Sequence, residues 1–347
     1  IRMYRTVFLL LAFSALDVTK QVEAAERPNI LFLFSDDHAV KAISAYGGPL
    51  ASVAPTENID RIAREGAVFT NSFCANTICG PSRACILTGK HSHKNGFMRN
   101  GNSFDPSQWT VAKSLRQGAY TTAVIGKWHL KSDPVGFDHW EVFPGQGSYY
   151  NPVYIQMDGA RRQASGYATD LTTDKAVAWL QTRDRSKPFL LMCQHKAPHR
   201  TFAPALRHLG AFDEVEIPEP ATLFDDYSNR ASPAANQTMT IKEHLTPSDL
   251  KLVAPGNLNP YQLKAWDAAY SKKNNAFLSK IGSMTEKEII QWKYQRYVKD
   301  YLRCVKSVDD AVGDVLDYLE KEGLADNTLV IYSSDQGWYL GEHGWFD

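Results

Sequence analysis

Two pairs of oxygen-bearing side chains, Asp36 with Asp37 and Asp335 with Gln336, stand far apart in the chain. Hard cations such as Ca²⁺ or Mg²⁺ take carboxylate and amide oxygens, whereas zinc favours histidine and cysteine. Brought together, the two pairs could hold such a cation. A third cluster reads Cys79-Gly80-Pro81-Ser82-Arg83-Ala84-Cys85-Ile86-Leu87-Thr88-Gly89-Lys90. Proline is preorganised for a first helical turn, which puts Cys79 just before a helix N-terminus, where backbone N–H groups favour an anion. Arg83 adds a planar donor fork suited to sulfate or phosphate. A cysteine in that setting has a lowered pKa, so on its own the cluster suggests a thiolate nucleophile. Lys127, His129 and His199 complete the set, each beside other polar residues.

The elements that must position these residues follow from apolar runs. Ile30–Phe34, 119–125, Phe189–Cys193 and Leu329–Tyr332 have strand length, and each runs into ionisable residues: Ser35-Asp36-Asp37-His38, Gly126-Lys127-Trp128-His129, Gln194-His195-Lys196-Ala197-Pro198-His199 and Ser333-Ser334-Asp335-Gln336-Gly337. Ligands bind beyond the carboxyl ends of strands in open α/β sheets. Four such ends in one chain point to a shared site on a mostly parallel sheet flanked by helices. Helices are expected at Ile59–Arg64, closed by Gly66; at Leu171–Leu180, with Asp170 as N-cap; and from the capping box Thr285-Glu286-Lys287-Glu288, with breaks, to Glu320 before Gly323. Residues 201–283 read as an insertion of loops and short helices, and long loops in compact domains are usually functional.

The 347 residues carry 38 basic and 38 acidic side chains. That balance removes the overall electrostatic footprint of a nucleic-acid binder. Five cysteines are too few for a disulfide-built scaffold. Cys74, Cys85, Cys193 and Cys304 read as buried thiols, with a Cys74–Cys85 pair left open by the spacing. Arg2 and Arg5 flank an apolar run from Val7 to Leu16, with small residues at Ala24 and Ala25. This is the layout of a secretory signal peptide over residues 1–26, and the run is too short for a stable membrane span. Export, to the periplasm or outside the cell, is the corresponding expectation. Ile1 and Arg2 precede Met3, so the numbering is expected to begin ahead of the start codon.

The stretch Cys79-x-Pro81-Ser82-Arg83 followed by Leu87-Thr88-Gly89 resembles the signature of the type I, formylglycine-dependent sulfatases. Asp36-Asp37, Gly126-Lys127-Trp128-His129, His199 and Asp335-Gln336 follow in the family's order. The resemblance covers nearly everything from Arg27 to Asp347. It implies an alkaline-phosphatase-like fold in a catalytic domain spanning residues 27–347. It also implies that Cys79 is oxidised to an aldehyde by a formylglycine-generating or sulfatase-maturating enzyme. Asp36, Asp37, Asp335 and Gln336, joined by the modified Cys79, would then be the ligands of Ca²⁺, with Mg²⁺ as an alternative. Gln336 stands where related sequences often have Asn or His. One hydroxyl of the hydrated aldehyde would attack the sulfur of a sulfate ester and displace the alcohol, and loss of a proton from the second would expel the bound sulfate and regenerate the aldehyde. By the same resemblance Arg83 and Lys127 stabilise the diol and sulfate oxygens, His129 assists the deprotonation, and His199 contacts the sulfate near the leaving oxygen. His38, His91, His93 and His195 are left as supporting or substrate contacts.

Gln194–Arg200, Ile217-Pro218-Glu219-Pro220 and Leu223-Phe224-Asp225-Asp226-Tyr227 are similar to bacterial carbohydrate sulfatases that include N-acetylglucosamine-6-O-sulfatases. The implied substrate is a sulfated saccharide bearing a 6-O-sulfate on a hexosamine, with Arg200 and the 201–283 insertion shaping the sugar pocket. Phosphomonoester or phosphonate hydrolysis on the same fold is the nearest alternative, and an inactive carbohydrate-binding relative is another. After Gly341-Glu342-His343-Gly344-Trp345-Phe346-Asp347 the family continues into a sulfate-binding lysine and a C-terminal subdomain. The resemblance therefore carries the expectation of a truncated product with an uncovered sheet edge, low solubility and reduced activity, with Lys127 the first candidate to replace that lysine.

Overall fold

A computed structural model describes residues 27–347; the signal-peptide expectation for residues 1–26 lies outside them. Seven strands form one sheet: β1 (Asn29–Asp36), β2 (Thr121–Gly126), β3 (His139–Val142), β4 (Val153–Gln156), β5 (Arg161–Gln163), β6 (Phe189–Pro198) and β7 (Thr328–Ser334). Their order is β5-β4-β3-β2-β6-β1-β7. The pairs from β3 through β7 are parallel, while β4 and β5 are added antiparallel at one edge. Parallel strands need crossover connections, and helices supply several of them. The helices are α1 (Glu57–Glu65), α2 (Cys79–Thr88), α3 (Ser92–Asn95), α4 (Val111–Gln117), α5 (Ala168–Thr182), α6 (Ser232–Asn236), α7 (Pro260–Leu278) and α8 (Glu286–Lys321).

Strand β6 is buried along all ten residues, as a central parallel strand covered on both faces must be. One face packs on the larger core, where Leu191 and Cys193 meet Tyr297, Tyr301 and Val305 from α8. Leu190 and Met192 join Leu87, Trp128 and Trp140 in a second core on the other face.

Several sequence expectations need correction. Strand β6 runs to Pro198, so Gln194 to Pro198 belong to the strand and only His199 lies past its end. Helix α5 begins at Ala168 with Tyr167 as N-cap. Asp170 therefore sits inside the first turn, and its carboxylate takes two hydrogen bonds from Arg207. Helix α8 is unbroken for 36 residues, opened by the Thr285–Glu288 capping box. The 201–283 segment is less irregular than expected, since it contains the 19-residue α7 with an Asn259–Gln262 capping box. Cys74 is exposed and all five cysteines are free thiols. Among the described residues no helix is long and apolar enough to cross a membrane.

Candidate active site

The ends of β1, β2, β6 and β7 bring the sequence clusters together. Parallel register sets Ser35 beside Ser334 and Gly126 beside Gln194, so Asp36 at the end of β1 and Lys127 and Asp335 just past β2 and β7 come to one level, with β6 between β1 and β2. Gly126 has φ +106°, and a Cβ there would fall 2.0 Å from the Gln194 carbonyl oxygen. Only glycine permits this close approach, which turns Lys127 inward.

Helix α2 brings Cys79 to the same place, but as its first helical residue, with Ile78 as N-cap. Gly80 is required beside it, because a Cβ would lie 2.7 Å from Asn100 Oδ1 and 2.9 Å from the Phe97 ring. Cys79 is 4% exposed. Its Sγ lies 3.3 Å from His129 Nδ1 and 3.6 Å from Asn100 Nδ2, with Gln146 Nε2 at 3.9 Å. Burial and then the Asp36 and Asp335 charges push the thiol pKa up, against an opposing pull from Lys127. Burial, Lys127 and Arg83 push the His129 pKa down to about 4. Cysteine and histidine are both kept neutral. This corrects the expectation of a solvent-open thiolate: the helix terminus is there, but desolvation outweighs it.

Three carboxylates and two cations lie behind Cys79, all buried. Lys127 Nζ donates to Asp36 Oδ2. Arg83 Nε donates to Asp335 Oδ2 at 3.0 Å, and its Nη1 reaches the Lys127 carbonyl at 2.7 Å and Gln194 Oε1 at 2.9 Å. Its Nη2 lies 3.4 Å from Asp36 Oδ1, and the guanidinium stacks over Phe34. Arg83 thus directs its fork at protein acceptors. Burial alone would raise the Asp36 pKa, yet the Lys127 and Arg83 charges hold it well below the usual carboxylate range. Burial and the neighbouring Asp36 and Asp335 charges push Asp37 the other way. Asp335 is raised as well, by burial and then Asp36.

His199 lies beyond β6 with Nδ1 2.5 Å from the Arg200 carbonyl oxygen. A carbonyl can only accept, so Nδ1 carries the proton and Nε2 presents a lone pair, 3.6 Å from Asp37 Oδ2. Burial holds its pKa near 3. Asp36, Asp37 and His199 can each offer a ligand atom within 4.8 Å of the others. Gln336 donates its amide to Asp37 Oδ1 at 2.7 Å and leaves its buried Oε1 without a hydrogen-bond partner. An orphaned buried amide oxygen beside a carboxylate whose charge is not neutralised fits an oxygen-seeking divalent cation.

The other histidines lie elsewhere. His38 is pinned between the Tyr332 hydroxyl at 2.6 Å and the Ala42 carbonyl at 3.2 Å, and His195 is sealed beside Cys193. His91 and His93 are exposed and stack on each other. Arg200 is held by a bidentate pair with Asp249, at 2.9 and 2.7 Å. Sequence reasoning missed Asn100 and Gln146, which carry no motif, and gave Gln194 and Lys196 no role although both lie in the run that ends β6.

Comparison with known proteins supplies the family. An N-acetylglucosamine-6-O-sulfatase of Bacteroides thetaiotaomicron is 47% identical over 362 residues, which cover 98% of this chain and 64% of the relative. A mouse N-acetylgalactosamine-6-sulfatase is 32% identical over 58% of this chain and 45% of its own length. The chain thus spans less than two thirds of either curated relative. The solved structure of BT4656 in complex with its substrate D-glucosamine-2-N,6-O-disulfate superposes with a TM-score of 0.89 at 47% identity, covering 93% of this chain and 68% of that one. The sulfatase family model matches residues 28–346, and the chain belongs to the sulfatase family.

Proposed function

We propose that this protein hydrolyses sulfate esters of carbohydrates, with the 6-O-sulfate of N-acetylglucosamine as its substrate. The observation that carries the reading is the neutral, buried Cys79 at the start of α2, 3.3 Å from a neutral His129 and backed by the Asp36–Lys127–Arg83–Asp335 cluster. A thiolate–imidazolium pair is disfavoured there by both pKa shifts. Prior oxidation of Cys79 by a maturating enzyme removes that difficulty. As formylglycine, residue 79 would supply a hydrated aldehyde as the nucleophile that displaces the sugar alcohol from sulfur, and a divalent cation, Ca²⁺ in this reading, would supply positive charge to the sulfate oxygens.

The chain's own groups then have distinct tasks. Asp36, Asp37, Asp335 and Gln336, with the oxidised residue 79, would hold the cation; Gln336 contributes the orphaned Oε1. Lys127 and Arg83 fix Asp36 and Asp335. His129 is placed to move a proton at residue 79. His199 has its Nδ1 proton fixed on the Arg200 carbonyl and turns Nε2 toward the site, beside the leaving oxygen in this reading. Residues 27–347 would form the catalytic domain, with 201–283 bordering the sugar and residues 1–26 directing export. The 6-O-sulfated hexosamine is supported by the similarity to the bacterial N-acetylglucosamine-6-O-sulfatase and to the protein solved with D-glucosamine-2-N,6-O-disulfate.

The test is a defined panel with mass spectrometry at position 79. Sulfate release from 6-O-sulfated N-acetylglucosamine, with an aldehyde at residue 79, is the expected result. Turnover confined to galactose, uronic acid or aryl sulfates would overturn the substrate. Preference for an aryl phosphate over the sulfates would overturn the reaction class.

A further inference from the structure

The ion pairs of the site use Lys127 and Arg83 and leave Lys196 out. Lys196 lies in the fully buried β6 and is 6% exposed. Its ammonium sits 5.1 Å from the centroid of the Tyr149 ring, and the Tyr149 hydroxyl donates to the His199 carbonyl. Ring and lysine are therefore tied to the same strand end as His199. Among the described residues no carboxylate pairs with this ammonium. Asp36 is taken by Lys127 and Arg83, Asp335 by Arg83 and the Asp37 amide, and Asp37 accepts from Gln336 and faces His199.

Its charge is nevertheless felt across the site. It depresses the pKa of both His129 and His199, and it is itself raised by Asp36, Asp37 and Cys79 while burial and Lys127 push it down to about 8. A buried ammonium with no counter-ion is costly, and an aromatic face recovers only part of the loss. Such a group belongs where an anion will arrive. Arg83 is poorly placed for that task, because its donors are already engaged, and Lys127 is held against Asp36.

We propose that Lys196 is a catalytic residue that donates a hydrogen bond from its ammonium to a non-bridging oxygen of the substrate's sulfate group and keeps it in the released sulfate. The inference rests on the sulfatase reading. No bond is made or broken at Lys196, which stays protonated throughout. Tyr149 is the platform that aims it.

The test compares wild type with K196M, which keeps the stem over Tyr149 and removes the charge. Removing one donor from a preorganised anion site costs on the order of 10² in rate. We expect kcat/KM on the sulfated sugar to fall about that much, and inorganic sulfate, titrated by thermal shift, to bind at least about tenfold more weakly. Aldehyde content at residue 79 should be unchanged, and K196R should recover part of both losses. If K196M does not fold, K196Q takes its place. Sulfate binding within about threefold of wild type would overturn the proposal even if turnover fell, since that pattern marks a packing role. A wild type that neither turns over sulfate esters nor binds sulfate would instead overturn the sulfatase reading.

Discussion

Arg83 and Arg200 are both arginines beside a buried aspartate, yet they hold different walls of the site. Arg83, on α2, is buried and divides its donors among Asp335, Asp36, Gln194 and the Lys127 backbone. Arg200, past β6, is partly exposed and gives its fork to Asp249 alone, with one further contact to the His244 carbonyl. The first arginine joins four strands, β1, β2, β6 and β7; the second ties one loop to the strand that precedes it. Removing the first leaves several buried charges uncompensated, whereas removing the second frees a local tether. The α2 wall should therefore be rigid and intolerant, and the wall built from residues 199–251 adjustable.

The largest effect is expected at Arg83. R83M leaves Asp335 without its cation and weakens the restraint on Asp36. Breaking a buried pair by removing one partner costs about 3–5 kcal/mol, and turnover should fall by at least about 10³-fold once the carboxylates shift. Urea unfolding and kcat/KM on the same preparation measure both. A loss no greater than that of an Arg200 variant would break the contrast between the walls.

The next effect is smaller. Asp249 also accepts from the Thr246 amide at 2.8 Å and its hydroxyl at 2.7 Å, so D249N loses a charge-assisted pair while keeping much of the turn. We expect a cost of about 2 kcal/mol, a changed KM for the sugar and kcat within about tenfold of wild type. Loss of kcat with KM unchanged would place Arg200 in the chemistry rather than in the loop.

The strand ends were legible because an apolar run followed by Asp, Lys or His is a local pattern, and register then aligns the runs. The Cys79 motif was legible for the same reason. The state of Cys79 was not, since a helix start predicts a lowered pKa while the burial that raises it comes from Asn100, Gln146 and His129, which reach it from other loops. Strand β6 was cut short because Gln194, His195 and Lys196 read as loop, although parallel pairing carries β6 through to Pro198. The tie of Arg200 to Asp249 was not legible either, since the two stand 49 residues apart. In each case the missing information is a long-range partner.

The finest prediction separates two histidines four positions apart on the β6 segment that feeds both walls. His199 opens into the site, whereas His195 is sealed in the core with its Nδ1 unpartnered. Burial pushes the His195 pKa down to about 4, against about 6.5 in an unfolded chain. The folded state refuses the proton, so this stability is complete above pH 6.5 and is lost as pH falls from there toward 4. Linkage puts the loss at about 2 kcal/mol by pH 5. In H195Q that loss is absent. Urea unfolding should therefore show the variant less stable than wild type at pH 7.5, with the gap narrowing by about 2 kcal/mol at pH 5. A gap independent of pH would mean that His195 reaches solvent in the folded state, and that the β6 end is as adjustable as the loop wall it supports.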